Sequence, residues 1–106
     1  TMNIEKVKLL NDSLRKNGVG GQVMLTRGIT QREDKEKIIK AVMDFEDFSE
    51  DNDPYGEHDF GKVVVDGIDY LWKIDYYDLD CKYHSEDKSD PKVTRRVLTI
   101  MEASEY

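Results

Sequence analysis

The sequence has 106 residues and a mass of 12.4 kDa, which is enough for a single domain over residues 1–106 but not for two. With 37% charged residues, no long apolar run and a net charge of −7, it excludes a transmembrane helix and disfavours direct binding to nucleic acid or membranes. A single Cys and the absence of a visible secretory signal predict a cytoplasmic protein.

The first half of the chain predicts two helices with a strand between them. Apolar residues at helical spacing, followed by Asn17 and Gly18, predict a helix over about residues 3 to 16. A short strand is expected over residues 22–26. Thr30 and Glu33 have the spacing of a capping box, so we expect the second helix to begin there.

The second half contains a clear hairpin signal. Asp66-Gly67 separates two apolar runs, which predicts a two-residue type I′ turn. Counting outward pairs Gly61 with Trp72, and it predicts one buried face made of Val63, Val65, Ile68, Tyr70, Trp72, Ile74 and Tyr76. A last strand is expected over residues 96–101, after a polar loop. The predicted fold is α+β in the order α-β-α-β-β-β, with about four mostly antiparallel strands and two helices packed on one face.

Negative charge is concentrated in one segment. Between Lys40 and Lys62 there is no Lys or Arg, whereas the rest of the chain holds 15 acidic and 16 basic residues. The acidic residues of this segment are Asp44, Glu46, Asp47, Glu50, Asp51, Asp53, Glu57 and Asp59. Such a segment suits a cation, a basic protein surface, or solvent alone.

Two enzymatic alternatives arise from the same region. If the hairpin extends far enough, His58 lies opposite Asp75, and these residues with Asp59 would form an acid–base set. Asp51, Asp53 and His58 could instead hold a metal ion, although Lys62 stands where a calcium-binding loop needs Glu. In the simpler interpretation, which we favour, His58 caps the loop and Asp75 pairs with Lys73. No cofactor or catalytic residue is predicted on that interpretation.

The chain resembles a known family along most of its length. The most specific segment is the motif over residues 51–61, Asp-Asn-Asp-Pro-Tyr-Gly-Glu-His-Asp-Phe-Gly, and further similarity covers residues 11–15, 20–26, 45–48, 72–78 and 96–101. These segments are similar to small proteobacterial proteins of unknown function that are often found near plasmids, phages and other mobile elements. The resemblance supplies no activity, but it implies that the acidic loop and residues 74–77 are the family's signature.

We therefore expect a non-enzymatic interaction protein that binds a basic protein or nucleoprotein surface, with DNA mimicry as one way of doing so. The mobile-element association suggests an inhibitor or anti-defence protein, directed against CRISPR or restriction complexes. The predicted contact residues are Asp47, Glu50, Asp51, Asp53, Tyr55, Glu57, His58, Asp75 and Tyr77. The alternative is a divalent-metal-dependent hydrolase or nuclease that uses His58, Asp75, Asp59 and the loop acids.

Overall fold

The computed structural model describes residues 3–106 and contains three α-helices and four strands. The helices are α1 (Ile4–Asn17), α2 (Arg27–Thr30) and α3 (Lys35–Met43), and a 3-10 turn spans Ala103–Glu105. The strands are β1 (Gln22–Leu25), β2 (Phe60–Val65), β3 (Ile68–Tyr77) and β4 (Arg95–Glu102). Within residues 3–106, no helix has the length and apolar character that a membrane crossing requires.

The strands form one sheet in the order β1-β4-β3-β2. The pairs β2–β3 and β3–β4 are antiparallel, as expected for strands that follow one another along the chain, whereas β1 runs parallel to β4. The predicted α+β class and four strands are confirmed. The sheet is mixed, because the strand from the N-terminal half joins the end of an antiparallel meander.

The predicted order α-β-α-β-β-β lacks one helix. The Thr30 N–H donates to the carbonyl of Thr26 at 3.0 Å, so Thr30 ends the short helix α2. The next helix begins at Lys35, with Asp34 at its N-cap, and the predicted capping box at Thr30 is therefore wrong. The short helix α2, which Thr26 alone separates from β1, contains the residue that the sequence pattern assigned to the later helix.

The hairpin follows the predicted register. Val65 pairs with Ile68 and Gly61 with Trp72. Asp66 and Gly67 have φ values of 52° and 80°, as a type I′ turn requires. A Cβ atom on Gly61 would lie 2.5 Å from Trp72 Nε1, so only glycine leaves room for the indole at this position.

The core lies between the sheet and helices α1 and α3. It is formed by Leu14, Ile29, Ile38, Val42, Val63, Val65, Tyr70, Trp72, Ile74, Leu98 and Ile100. Of the predicted hairpin face, Tyr76 is half-buried and Ile68, which directly follows the turn, is exposed. The segment that connects α3 to β2 therefore lies at one end of the sheet.

Candidate functional site

The acidic segment, residues 44–59, connects α3 to β2 and forms neither helix nor strand. Its middle is held by its own hydrogen bonds. The Asp53 N–H donates to the Ser49 carbonyl at 2.8 Å, and Asn52 Nδ2 donates to the Asp47 carbonyl at 2.6 Å. The Ser49 N–H donates to Asn52 Oδ1 at 2.8 Å. The segment is therefore a folded loop with a defined inner and outer side.

Arg15 of α1 fixes the point where this loop leaves α3. Its buried Nη1 donates to the carbonyls of Val42, Met43 and Phe45 at 3.0, 3.2 and 2.7 Å. These carbonyls lie in the last turn of α3 and just beyond it, where i→i+4 partners run out, and the guanidinium supplies them with a donor; that of Val42 also accepts the Phe45 N–H at 3.2 Å. The charge also lies 5.3 Å from the ring centre of Phe48, which packs against the core.

His58 joins the loop to α1. Its Nδ1 lies 2.9 Å from Asp12 Oδ1, and its Nε2 lies 3.7 Å from Asp53 Oδ2. The imidazole stacks on Phe48 with a centroid distance of 3.6 Å and an interplanar angle of 3°. The side chain of Asp53 is only 6% exposed and also accepts the His58 N–H at 3.1 Å. His58 thus caps the loop, as the simpler interpretation of the sequence held.

The predicted pairing of His58 with Asp75 is wrong. His58 has a φ of 56°, which turns the chain out of the extended conformation, and β2 begins at Phe60. Asp75 lies on the opposite face of the sheet from Tyr76, where its carboxylate accepts from Lys73 Nζ at 2.7 Å. By the same alternation, Tyr77 lies on the face of Asp75. The acid–base set of His58, Asp75 and Asp59 is therefore not assembled.

Glu57 points inward and ends in a buried polar network. Its side chain is 9% exposed, and Oε1 accepts from the Tyr76 hydroxyl at 2.9 Å and from Lys88 Nζ at 2.8 Å. Asn11 Nδ2 of α1 donates to the Tyr76 hydroxyl at 2.8 Å and to the Glu57 carbonyl at 3.0 Å. Burial, as the largest cause, raises the pKa of Tyr76, so the phenol stays protonated.

Arg96 of β4 completes this network from the other side. It is 1% exposed, its Nε donates to Asn11 Oδ1 at 2.6 Å, and its Nη2 donates to the Lys88 carbonyl. Burial lowers the pKa of Arg96, while the guanidinium lies 5.1 Å from the ring centre of Tyr76. The inner network, which we define as Asn11, Glu57, Tyr76, Lys88 and Arg96, ties the loop to α1, β3 and β4.

Sequence reasoning missed Asn11, Arg15 and Arg96. Asn11 and Arg15 follow Val7 at intervals of four residues, so they occupy the buried stripe of α1. A polar residue at a core-facing helical position is a signal for a buried hydrogen-bond network. No comparable local signal marks Arg96, whose partner Asn11 is 85 positions away.

The outer acidic face consists of Asp47, Glu50, Asp51 and Tyr55, all of which are exposed. Tyr55 is 77% exposed. No ion pair within residues 3–106 involves the three carboxylates of this face. The outer face therefore presents to solvent three carboxylates and one aromatic ring, all carried by the same loop.

The remaining acids of the segment belong neither to the inward-facing side chains nor to the outer acidic face. Asp44 pairs with Lys40 Nζ at 2.7 Å, and Glu46 pairs with Lys16. Asp59 is half-buried, and its desolvation, followed by the charge of Glu57, raises its pKa. Only part of the negative charge counted in the sequence is thus available on the surface.

The alternative metal set of Asp51, Asp53 and His58 is also not brought together as predicted. Asp53 and His58 are neighbours, but Asp51 belongs to the exposed outer face. In the part of the chain that the structure describes, residues 3–106, no group of three or more His, Cys, Asp or Glu side chains is placed to hold a metal ion.

The fold and the site together define a small α+β protein in which an ordered acidic loop is held against a mixed sheet. A family model described as "Protein of unknown function (DUF3768)" matches residues 25–105, and the chain belongs to this family. The match includes the whole acidic segment and strands β2 to β4. Comparisons with curated proteins and with solved structures found no match.

Proposed function

We propose that this chain is a non-enzymatic interaction protein whose outer acidic face binds a basic surface on a protein or nucleoprotein partner. The observation that carries the proposal is the presentation of Asp47, Glu50, Asp51 and Tyr55 on a loop whose inner side is held by buried contacts. Complementary charge would mainly speed association and select the partner, while Tyr55 would supply contact area.

The order of the loop supports this role. Asp53 holds the middle of the segment, and Glu57 and His58 hold its end. A loop that is already folded loses less conformational entropy on binding than a mobile one. In this proposal, Asp53, Glu57 and His58 position the outer face and do not themselves touch the partner.

A nucleic-acid-binding surface is the partner that suits the outer face best. Such surfaces carry Lys and Arg side chains that neutralise phosphates, and clustered carboxylates can replace phosphates as their counterions. The resemblance to proteobacterial proteins found near mobile elements suggests an inhibitor of CRISPR or restriction complexes that acts by DNA mimicry. Binding would then compete with DNA for the same surface.

The test compares three baits in extracts of the organism that encodes the chain. They are the wild type, the outer variant Asp47→Lys/Glu50→Lys/Asp51→Lys, and a control variant, Glu33→Lys/Glu36→Lys/Asp69→Lys. The control reverses exposed carboxylates outside the segment and changes net charge by the same amount. We expect the wild type and the control to retain a common basic partner that the outer variant loses.

The retained partner is then purified and titrated with the chain at increasing salt and with duplex DNA as competitor. We expect an affinity that falls by at least about tenfold between low and physiological salt, since the charges are exposed. Binding that ignores salt, or that the outer variant retains, would overturn the proposal. So would the absence of any partner that distinguishes the outer variant from the control.

A further inference from the structure

The two edges of the sheet differ in how they are protected. β1 forms one edge and β2 the other. The edge strand β2 carries Lys62 and adjoins Asp66, which pairs with Lys37 Nζ at 3.0 Å. Charges of this kind keep an edge from pairing with other strands. β2 is thus a protected edge.

β1 is short, with four residues, but it carries neither a charge nor a proline. No charged residue occurs between Lys16 and Arg27, which is the longest uncharged stretch of the sequence, and it contains no Pro. Val23 and Met24 are 43% and 45% exposed, so both faces of this edge strand present apolar side chains. In a chain with a net charge of −7, an edge strand without charged residues adds no repulsion of its own between two copies.

The backbone of β1 also has groups that face away from the sheet. The Thr26 N–H donates to the Ile100 carbonyl of β4 at 3.1 Å. Because residues of a strand alternate, Met24 also directs its main-chain groups to β4, whereas Val23 and Leu25 direct theirs to the open edge. The edge therefore offers donors and acceptors at Val23 and Leu25.

An apolar cavity of about 220 Å³ lies directly inside this edge. It is bounded by α1, α3 and the sheet, and its lining includes Val23, Ile39, Met43 and Leu98. A strand added beside β1 would carry every second side chain over this cavity. Main-chain pairing and apolar burial would then occur together.

We propose that β1 is a self-association edge, at which two copies of this chain pair antiparallel about a twofold axis. The outward groups of Val23 would pair with those of Leu25 of the second copy, and Met24 would face Met24 of the second copy. The two sheets would become one continuous sheet. A second copy is the occupant because its own β1 is uncharged, apolar on both faces and equal in length, so the strand is complementary to itself, whereas a charged segment would find no counter-charge here.

The first test is the mass in solution, measured by sedimentation velocity from about 5 to about 500 µM. We expect the mass to rise from 12.4 kDa toward twice that value as the concentration increases. Val23→Lys should abolish the rise, because it places like charges at the pairing edge. The matched control is Val64→Lys on β2, where Val64 is 59% exposed and also lies at an edge. This control should dimerise as the wild type does.

The second test fixes the register by disulfide trapping in a Cys81→Ser background. In the proposed pairing, the Cα atoms of the two Met24 residues lie about 4.5 Å apart, within disulfide range. The Cα atoms of the two Gln22 residues lie about 14 Å apart on the same face, which is too far for a disulfide. Met24→Cys should therefore form a covalent dimer on mild oxidation, and the control Gln22→Cys should not.

Hydrogen exchange distinguishes this edge from the other without any substitution. The amides of Val23 and Leu25 should become protected as the concentration rises, while the outward amides of Lys62 and Val64 should not. A chain that stays monomeric at every concentration and exchanges at Val23 as fast as at Val64 would overturn the proposal. So would a monomer that binds only an extended peptide at β1, since another protein would then occupy the edge.

Discussion

The inner and outer sides of the acidic segment have the same kinds of residues and opposite environments. Glu57 is 9% exposed and bonded to Tyr76 and Lys88, whereas Glu50, seven positions earlier, is exposed. Asp53 is buried beside His58, whereas Asp51 belongs to the outer face. A count of carboxylates therefore does not measure an interaction surface, because only those that the loop turns outward are available to a partner. Variants on the inner and outer sides should accordingly differ in their effects on stability.

The largest effect is expected at the centre of the inner network. Arg96→Met should lower the free energy of unfolding by about 3 kcal/mol, because Asn11 Oδ1 and the Lys88 carbonyl lose a buried donor. The neighbouring Arg95→Met, at an exposed site, should cost less than about 0.5 kcal/mol. Urea unfolding followed by circular dichroism measures both, and equal losses would show that the network does not hold the inner side.

A matched pair of Glu variants compares the two sides directly. Glu57→Gln should lower the free energy of unfolding by about 1–2 kcal/mol, since the charge that Lys88 pairs with is removed from a buried site. Glu50→Gln makes the same chemical change on the outer face and should leave stability within about 0.5 kcal/mol. Thermal and urea unfolding give the difference. A Glu50 variant as unstable as the Glu57 variant would remove the distinction between inner and outer carboxylates.

The pH dependence of stability tests whether Asp59 is desolvated in the folded chain. Its pKa is raised in the folded chain by desolvation and by Glu57, so the folded state binds this proton more tightly than the unfolded state does. Stability is therefore lost as the pH rises from the ordinary Asp pKa through the raised one. Asp59→Asn removes this loss.

The stability of Asp59→Asn relative to the wild type should accordingly increase between about pH 4 and pH 7, by less than about 1 kcal/mol because the group is half-buried. Urea midpoints measured across this range provide the check. A difference that stays constant with pH, or that shrinks as the pH rises, would contradict the assignment.

The smallest effect is expected on the outer face. Replacing Asp47, Glu50 and Asp51 by their amides should change the free energy of unfolding by no more than about 0.5 kcal/mol, because these side chains form no ion pair within residues 3–106. The same variant should weaken binding to a basic partner. A loss of stability as large as that of Glu57→Gln would mean that the outer carboxylates also maintain the loop.

Local patterns predicted the hairpin well. The turn at Asp66-Gly67, the register and the fit of Gly61 against Trp72 depend on residues that are close in sequence, and all are confirmed. Counting outward along the same register failed at His58, because the positive φ of this residue keeps it out of β2, which begins at Phe60. That conformation is maintained by Phe48 and Asp12, and Asp12 belongs to a distant helix that the strand pattern does not include.

Periodicity, turn chemistry and composition were sufficient to predict the α+β class, the hairpin and the concentration of acidic residues before β2. The packed fold was needed to place β1 beside β4 and Asn11 against Arg96, and to select which carboxylates face solvent. These features join residues far apart in the chain. Their energies depend on burial and hydrogen-bond geometry, which exist only once the helices and the sheet have packed.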